Sequence, residues 1–211
     1  FVFYHDWIYN LTMEFTKSLI KGKLIKRYKR FFTDVKVNKE IVTAHCPNTG
    51  SMMGLLGDKN EVFISKNDDP KRKLKYTLEI IKVKNNLVGV NTHLANKIVN
   101  HGLSNNLIKE IDNSDNIKAE VFFNKKTRFD FLIEKNKQKI FVEVKNVTLS
   151  RTKKIAEFPD AVTLRGSKHL KTLIEATKKG FKTYLLFLIQ IQNIENFKIA
   201  KDIDKEYYEN Y

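Results

Sequence analysis

Two acids and a lysine at alternating strand positions can hold a divalent cation and steer a water, and Asp130, Glu143 and Lys145 stand in such a pattern. Residues 127–146 read as a β-hairpin. A two-residue turn at Asn136-Lys137 sets Asp130 opposite Glu143, Leu132 opposite Phe141 and Glu134 opposite Lys139. The other face then pairs Phe129 with Val144, Phe131 with Val142 and Ile133 with Ile140, and is wholly apolar. A one-residue slip would mix the two faces, so the hydrophobic pattern supports this register. Paired carboxylates repel unless something positive sits between them, and hard oxygen donors suit Mg²⁺ or Mn²⁺. Lys145 shares the face of Glu143, where it could orient a water or stabilise charge developing on a phosphate under attack. The same three residues also suit a salt-bridged strand surface.

The elements that must position this hairpin follow from periodicity. Residues 92–111 carry Leu94, Ile98, Leu103, Leu107, Ile108 and Ile111 at mostly helical spacing, and 117–123 read as a strand. After the hairpin come a helix over about 167–179 and an apolar strand over 183–189. The resulting order is α-β-β-β-α-β. Order and motif together resemble the PD-(D/E)xK nuclease superfamily, with Phe129 standing where the Pro would be. That likeness implies Asp130 on the second core strand, Glu143 and Lys145 on the third, and a further acid from the first helix or strand, for which Glu120 is the candidate. Phe158-Pro-Asp160 lacks a Glu-x-Lys at hairpin distance and reads as a loop. Beyond it Ser167 is the expected N-cap, and Arg165, Lys168 and His169 crowd the helix start, as phosphate ligands or as a solvated cap.

Strand signals recur in the first half, at 32–37, 41–45, 62–66, 74–83 and 87–90, which suits a small closed barrel of the OB kind. Lys26, Arg27, Tyr28 and Arg30 interleave cations with an aromatic ring, a combination that can hold phosphates and stack bases. Phe31 and Phe32 read as barrel core rather than stacking residues. In the loop after His45, Asn48, Thr49 and Ser51 offer polar donors to a phosphate, or else pack between domains. His45 and Cys46 are adjacent on a strand and point to opposite faces, which argues against a nucleophile pair.

Lys26-Arg-Tyr-Lys-Arg-Phe31, Ala44-His-Cys-Pro-Asn-Thr-Gly-Ser-Met52, Thr127-Arg-Phe-Asp130, Val142-Glu-Val-Lys-Asn-Val147 and Phe158-Pro-Asp-Ala-Val-Thr-Leu-Arg-Gly-Ser-Lys-His-Leu170 together resemble the sugar fermentation stimulation protein A family. The likeness runs from Met13 onward. It implies an α+β fold of two domains, an N-terminal OB-like β-barrel over 13–91 and a C-terminal α/β PD-(D/E)xK nuclease-like domain over 92–211, with residues 1–12 as an extension. It also implies DNA as the partner and a role in regulating sugar-utilisation genes. Two functions are carried forward: a Mg²⁺- or Mn²⁺-dependent DNA nuclease, and a non-cleaving DNA-binding regulator that retains the fold. Glu120 would join Asp130 and Glu143 at the metal, and Arg128, Arg165, Lys168 and His169 would meet DNA.

Composition bounds both readings. A net charge of +15 and a pI near 9.7 fit a polyanion partner, although 33 of the 39 basic residues are lysines, so placement counts for more than the total. Both halves are basic, with 17 basic against 8 acidic side chains over 13–91 and 22 against 15 beyond. The lone Cys46 excludes an intramolecular disulfide and a multi-cysteine zinc site and suits a reducing compartment, so a cytoplasmic location is expected. No secretory signal or membrane span is read in the sequence.

Overall fold

A computed structural model describes residues 14–125 and 127–211; the expected 1–12 extension lies outside the described residues. In chain order the elements are β1 (Ile20–Tyr28), β2 (Phe32–Val37), β3 (Glu40–His45), β4 (Glu61–Lys66), β5 (Tyr76–Val83), β6 (Asn86–Gly89), α1 (Ala95–Ser104), β7 (Asn116–Asn124), β8 (Thr127–Lys135), β9 (Gln138–Val147), β10 (Leu149–Thr152), β11 (Ile155–Phe158), α2 (Leu164–Lys178), β12 (Lys182–Ile189), β13 (Asn196–Ile199) and α3 (Lys205–Asn210). They gather into two compact units that interleave in sequence. One holds the described residues up to His93 with Val147–Asp160 and Ile189–Ile199; the other holds Leu94–Asn146, Ala161–Leu188 and Ala200–Tyr211.

The first unit is built on a sheet in the order β3-β2-β1-β4-β5-β6, and a parallel pairing of β3 with β5 closes its first five strands into an OB-like barrel. Its core includes Leu24, Val35, Ala44, Cys46, Val62, Ile64, Leu78 and Ile81. β1 is not among the expected strands, because its four cations mask a short inward pair, Gly22 and Leu24. A Cβ at Gly22 would meet Val35 Cγ1 at 2.4 Å, so this strand can approach β2 only without a side chain there. Phe31 and Phe32 are not the core residues expected: Phe31 is 46% exposed, and Phe32 is half-buried on the outer face, where it stacks on Tyr28. A separate three-stranded sheet, β10-β11-β13, is tied by Arg151 and Lys198 on the buried carboxylate of Glu157.

The second unit places a four-stranded sheet, β12-β9-β8-β7, with α1, α2 and α3. The α-β-β-β-α-β order is present in α1, β7, β8, β9, α2 and β12. The hairpin pairs Lys135 with Gln138 through to Phe131 with Val142, in the expected register. Its turn residues Asn136 and Lys137 are both left-handed, at φ 49° and 64°, as a two-residue hairpin turn requires.

Three local expectations change. The helix of 92–111 is reduced to α1 with a 3₁₀ turn on either side, since Asn105 and the left-handed Asn106 break the periodic run. α2 begins earlier than expected, capped by Thr163, whose hydroxyl accepts from Gly166 N at 3.0 Å; Ser167 is buried inside the helix. The hairpin face expected to be charged is buried along most of its length. Leu132 and Phe141 are covered there, and Phe141 meets Phe123, Phe129 and Phe181 at 5.2–5.3 Å between ring centres. Phe131, Ile133, Ile140, Val142 and Val144 pack with Val99 and Leu103 of α1. Phe129 therefore leaves the Phe131 side, and the interruption falls at Asp130, across from the left-handed Glu120 (φ 56°) between the pairs Ala119–Phe131 and Val121–Phe129. Among the described residues no helix is long and apolar enough to cross a membrane.

Candidate active site

The break in alternation turns Asp130 out of the packed strand. Its Oδ1 accepts from Asn96 Nδ2 in the first turn of α1 at 2.8 Å, and its Oδ2 accepts from the backbone N–H of Val144 at 2.7 Å. The same Asn96 amide reaches Glu120 Oε1 at 3.3 Å, so one side chain bridges two of the expected acids. Glu120 is further engaged by Arg128 at 2.7 Å, and the Arg128 guanidinium lies over the Phe122 ring.

Glu143 is 3% exposed and gathers two side-chain donors. Its Oε1 accepts from Lys145 Nζ at 2.6 Å and from His169 Nδ1 of α2, while its Oε2 is buried with no hydrogen-bond partner among the described residues. An orphaned buried carboxylate oxygen is costly, and such a group calls for a missing cation, water or proton. Burial draws Glu143 upward, but the hydrogen bonds and charges of His169 and Lys145 outweigh it and hold the carboxyl below its ordinary range. Asp130 moves the other way. Burial first, then the negative charge of Glu143, raise it, and the Val144 N–H, Asn96 and Lys145 offset only part of that. Two neighbouring carboxyls pushed apart in this manner are a frequent mark of functional sites.

The scaffold behind Glu143 is not legible in the sequence. Asp204 accepts from Thr163 N at the start of α2 and from Tyr207 N in α3, both at 2.8 Å, so one carboxylate ties two helix starts. Tyr207 is fully buried, and burial together with the charge of Glu143 pushes its phenol upward, so it stays protonated. A Cβ on Gly166 would meet Thr163 Cγ2 at 2.7 Å and the Tyr207 ring at 3.0 Å, so glycine here leaves room for both the cap of α2 and the ring of α3.

The expected nucleic-acid residues divide sharply. Arg165 and Lys168 are exposed on the first turns of α2, whereas His169 is turned onto Glu143. On the barrel, Lys26 and Arg30 are exposed and Tyr28 is half-buried, with the Lys26 ammonium over its ring. Arg27 differs: its guanidinium donates to the carbonyls of Asn48 at 2.8 Å, Gly50 at 3.1 Å and Arg30 at 3.1 Å. The 48–52 loop is pinned a second time by Asp160, which accepts from Ser51 Oγ at 3.0 Å and Met52 N at 2.9 Å. Cys46 is buried beneath that loop, its Sγ against Met52 Sδ, while His45 points outward.

The residues present suit a hard divalent ion of few protein ligands. No cluster of three or more His, Cys, Asp or Glu donors converges among the described residues, so a closed cage of side chains is not formed. Asp130 with the open Oε2 of Glu143 fits the sparser coordination that Mg²⁺ and Mn²⁺ accept, in which water completes the shell.

Comparison with known proteins agrees with this architecture. The family model described as the sugar fermentation stimulation protein RE domain matches residues 93–211, and the one described as the SfsA N-terminal OB domain matches 25–90. A sugar fermentation stimulation protein homolog of Pelagibacter ubique is 81% identical over 199 residues, covering 94% of this chain and 86% of the relative. One from Alteromonas mediterranea is 45% identical, again over 94% and 86%. A solved structure of Pyrococcus furiosus SfsA in complex with Ca²⁺ superposes with a TM-score of 0.83 at 27% identity, covering 94% of this chain and 87% of that one.

Proposed function

The chain belongs to the sugar fermentation stimulation protein family, and from that premise we propose that it binds DNA and hydrolyses phosphodiester bonds with a divalent cation held by Asp130 and Glu143. The observation that carries the reading is the buried, unpartnered Oε2 of Glu143 beside an acid whose own ionisation is opposed by burial and by Glu143. The similar Pyrococcus furiosus protein was solved in complex with Ca²⁺, which supports a hard cation in this family. Glu120 remains the candidate for a further acid beside Asp130 and Glu143, through the Asn96 amide that it shares with Asp130.

A bound Mg²⁺ or Mn²⁺ would supply Lewis acidity toward a phosphate oxygen and a more acidic water. The protein's own groups set the stage for that. His169 and Lys145 fix one oxygen of Glu143, which leaves the other buried and free to take a cation. Asn96 and the Val144 N–H fix Asp130 through one oxygen each, and each oxygen keeps a further lone pair. Lys145, only slightly exposed, is the cation nearest the acids and stabilises negative charge that grows on the phosphate. Exposed Arg165 and Lys168 at the start of α2 would contact neighbouring backbone phosphates.

The test is single-turnover cleavage of labelled single-stranded, duplex and branched DNA in Mn²⁺ and Mg²⁺, with Asp130→Ala as control. Cleavage by the wild type that the variant lacks is the expected result. Wild type that binds these substrates and cuts none of them would leave the non-cleaving DNA-binding regulator as the function.

A further inference from the structure

One row of residues crosses four barrel strands. Tyr28 stands opposite Phe32 across β1 and β2, Phe32 opposite His45 across β2 and β3, and His45 opposite Thr77 across β3 and β5. Directly opposed residues share a face of the sheet, and here that is the outer face, since the neighbours Thr33 and Ala44 point inward; Thr77 at the end of the row is itself buried, where Arg72 reaches it. The chemistry changes along the row. Tyr28 and Phe32 stack with ring centres 5.4 Å apart and planes 14° from parallel. His45 lies with its ring centre 6.1 Å from that of His93, and Arg72 donates to the Thr77 hydroxyl at 3.3 Å.

Three nitrogen-bearing side chains therefore gather beside one hydroxyl, and the carboxylates nearby are engaged elsewhere. Glu79 accepts from Ser65 at 2.6 Å and from Asn91 at 2.7 Å. Asp34 accepts from Thr43 at 2.8 Å and Tyr28 at 3.3 Å, with Lys26 at 3.8 Å. His45 is held below the usual histidine range by burial first, then by His93 and Arg72. An anion among them would be drawn by all three groups and would ease their mutual repulsion.

We propose that His45, His93, Arg72 and Thr77 form a phosphate pocket and that, with Tyr28 and Phe32, it seats a single-stranded nucleic acid, backbone phosphate in the pocket and adjacent base on the aromatic pair. Phe32 and His45 are one strand spacing apart, about 4.8 Å, within the reach of one nucleotide. Stacking on a protein ring needs a base with a free face, which a duplex hides and a single strand offers. The inference rests on the nucleic-acid reading and narrows it to a strand form and a face.

The test uses the full chain and fluorescence anisotropy with a labelled oligothymidylate, a duplex of equal length, and inorganic phosphate as competitor. The His45→Ala, His93→Ala double variant and Phe32→Ala should each weaken single-strand binding about tenfold while changing duplex binding by less than about twofold. Wild-type affinity should fall as pH rises through the lowered range of His45, where its ring loses its proton, and the double variant should lose that dependence. As a check independent of variant folding, the His45 ring resonance of the wild type should shift on saturation with the oligonucleotide. Unchanged single-strand binding in folded variants, or an unmoved His45 resonance at saturation, overturns the pocket alone. Competition by inorganic phosphate at concentrations matching the oligonucleotide would assign the pocket to free phosphate and overturn the strand. Failure of the wild type to bind any nucleic acid would end both this inference and the reading beneath it.

Discussion

On the outer face of the barrel, Lys26 and Arg30 are exposed, and His45, His93 and Arg72 gather with the neighbouring acids engaged elsewhere. In the hairpin unit the pattern reverses, for Lys145 and His169 both lie on Glu143 and Arg128 lies on Glu120. The barrel thus presents positive charge outward, whereas the hairpin unit sets Lys145 and His169 on a buried acid and Arg128 on an exposed one. A polyanion is drawn to the first arrangement, and a small hard cation to the second. Net charge alone does not separate them, because both halves of the chain are basic.

The strongest way to break this contrast is to remove Lys145. If the cation serves the reacting phosphate, Lys145→Ala should lower single-turnover cleavage by about 10²–10³-fold, as removal of a transition-state interaction does, while changing equilibrium DNA binding little. Binding that falls as far as cleavage would place Lys145 among the capture residues and erase the distinction between the units.

A smaller effect sharpens the picture inside the barrel, where neighbouring arginines have different work. Arg27→Ala should destabilise the protein by about 2 kcal/mol, since a charged donor shared among three carbonyls orders the 48–52 loop. Arg30→Ala, at an exposed position, should fall within about 0.5 kcal/mol of wild type. Denaturant midpoints at matched salt decide it. Equal losses for both would mean that the loop is held by Asp160 and does not need Arg27.

How much of this is legible in the sequence depends on how local each signal is. The hairpin register is legible because a left-handed dipeptide, Asn136-Lys137, and a run of alternating apolar residues point to the same pairing. The burial of Phe141 is not, because the rings that meet it, Phe123 and Phe181, lie 18 and 40 residues away in sequence. Asp130, Glu143 and Lys145 announce themselves by spacing. Asn96, Asp204 and Tyr207 do not, since an asparagine in a helix and an acid before a tyrosine carry no motif of their own. His169 stands out for the wrong partner: its basic neighbours at a helix start suggest phosphate, and the fold turns it onto Glu143. The same holds for Arg27, whose place in a basic run gives no hint of the loop carbonyls that receive it.

Salt dependence probes the barrel's side of the comparison more gently. Charge reversal at Lys26, Lys29 and Arg30 should flatten the log-log salt slope of duplex binding by about 0.9 for each phosphate no longer neutralised, or about 0.7 on single strands. The same reversal at Arg165 and Lys168 tests the start of α2 independently. A slope that responds only to the second pair would move DNA capture from the barrel to the hairpin unit.

The smallest expected effect concerns Asp130 in the metal-free protein. Its folded-state pKa lies above the ordinary value, through burial and the charge of Glu143, so the fold loses stability as pH rises from the ordinary value to the raised one, and the penalty is complete above it. Below the ordinary aspartate range the carboxyl is protonated in both states and the penalty vanishes. Asp130→Asn should therefore raise stability near neutral pH by about 1 kcal/mol, with the gain shrinking to nothing as pH falls toward about 4. Glu143 works in the opposite sense, because its depressed pKa contributes stability above its ordinary range that is lost as pH falls through the depressed value. Wild type and variant should thus converge on the acid side while both lose stability. Mn²⁺ should reverse their order near neutrality, since a cation that binds only the folded wild type stabilises it by mass action. Thermal melts of both proteins across pH, with and without Mn²⁺, read all of this in one series. A metal-free variant less stable than wild type at neutral pH would mean that the hydrogen bonds from Asn96 and Val144 outweigh the repulsion. Asp130 would then be a structural acid rather than one held ready for a cation.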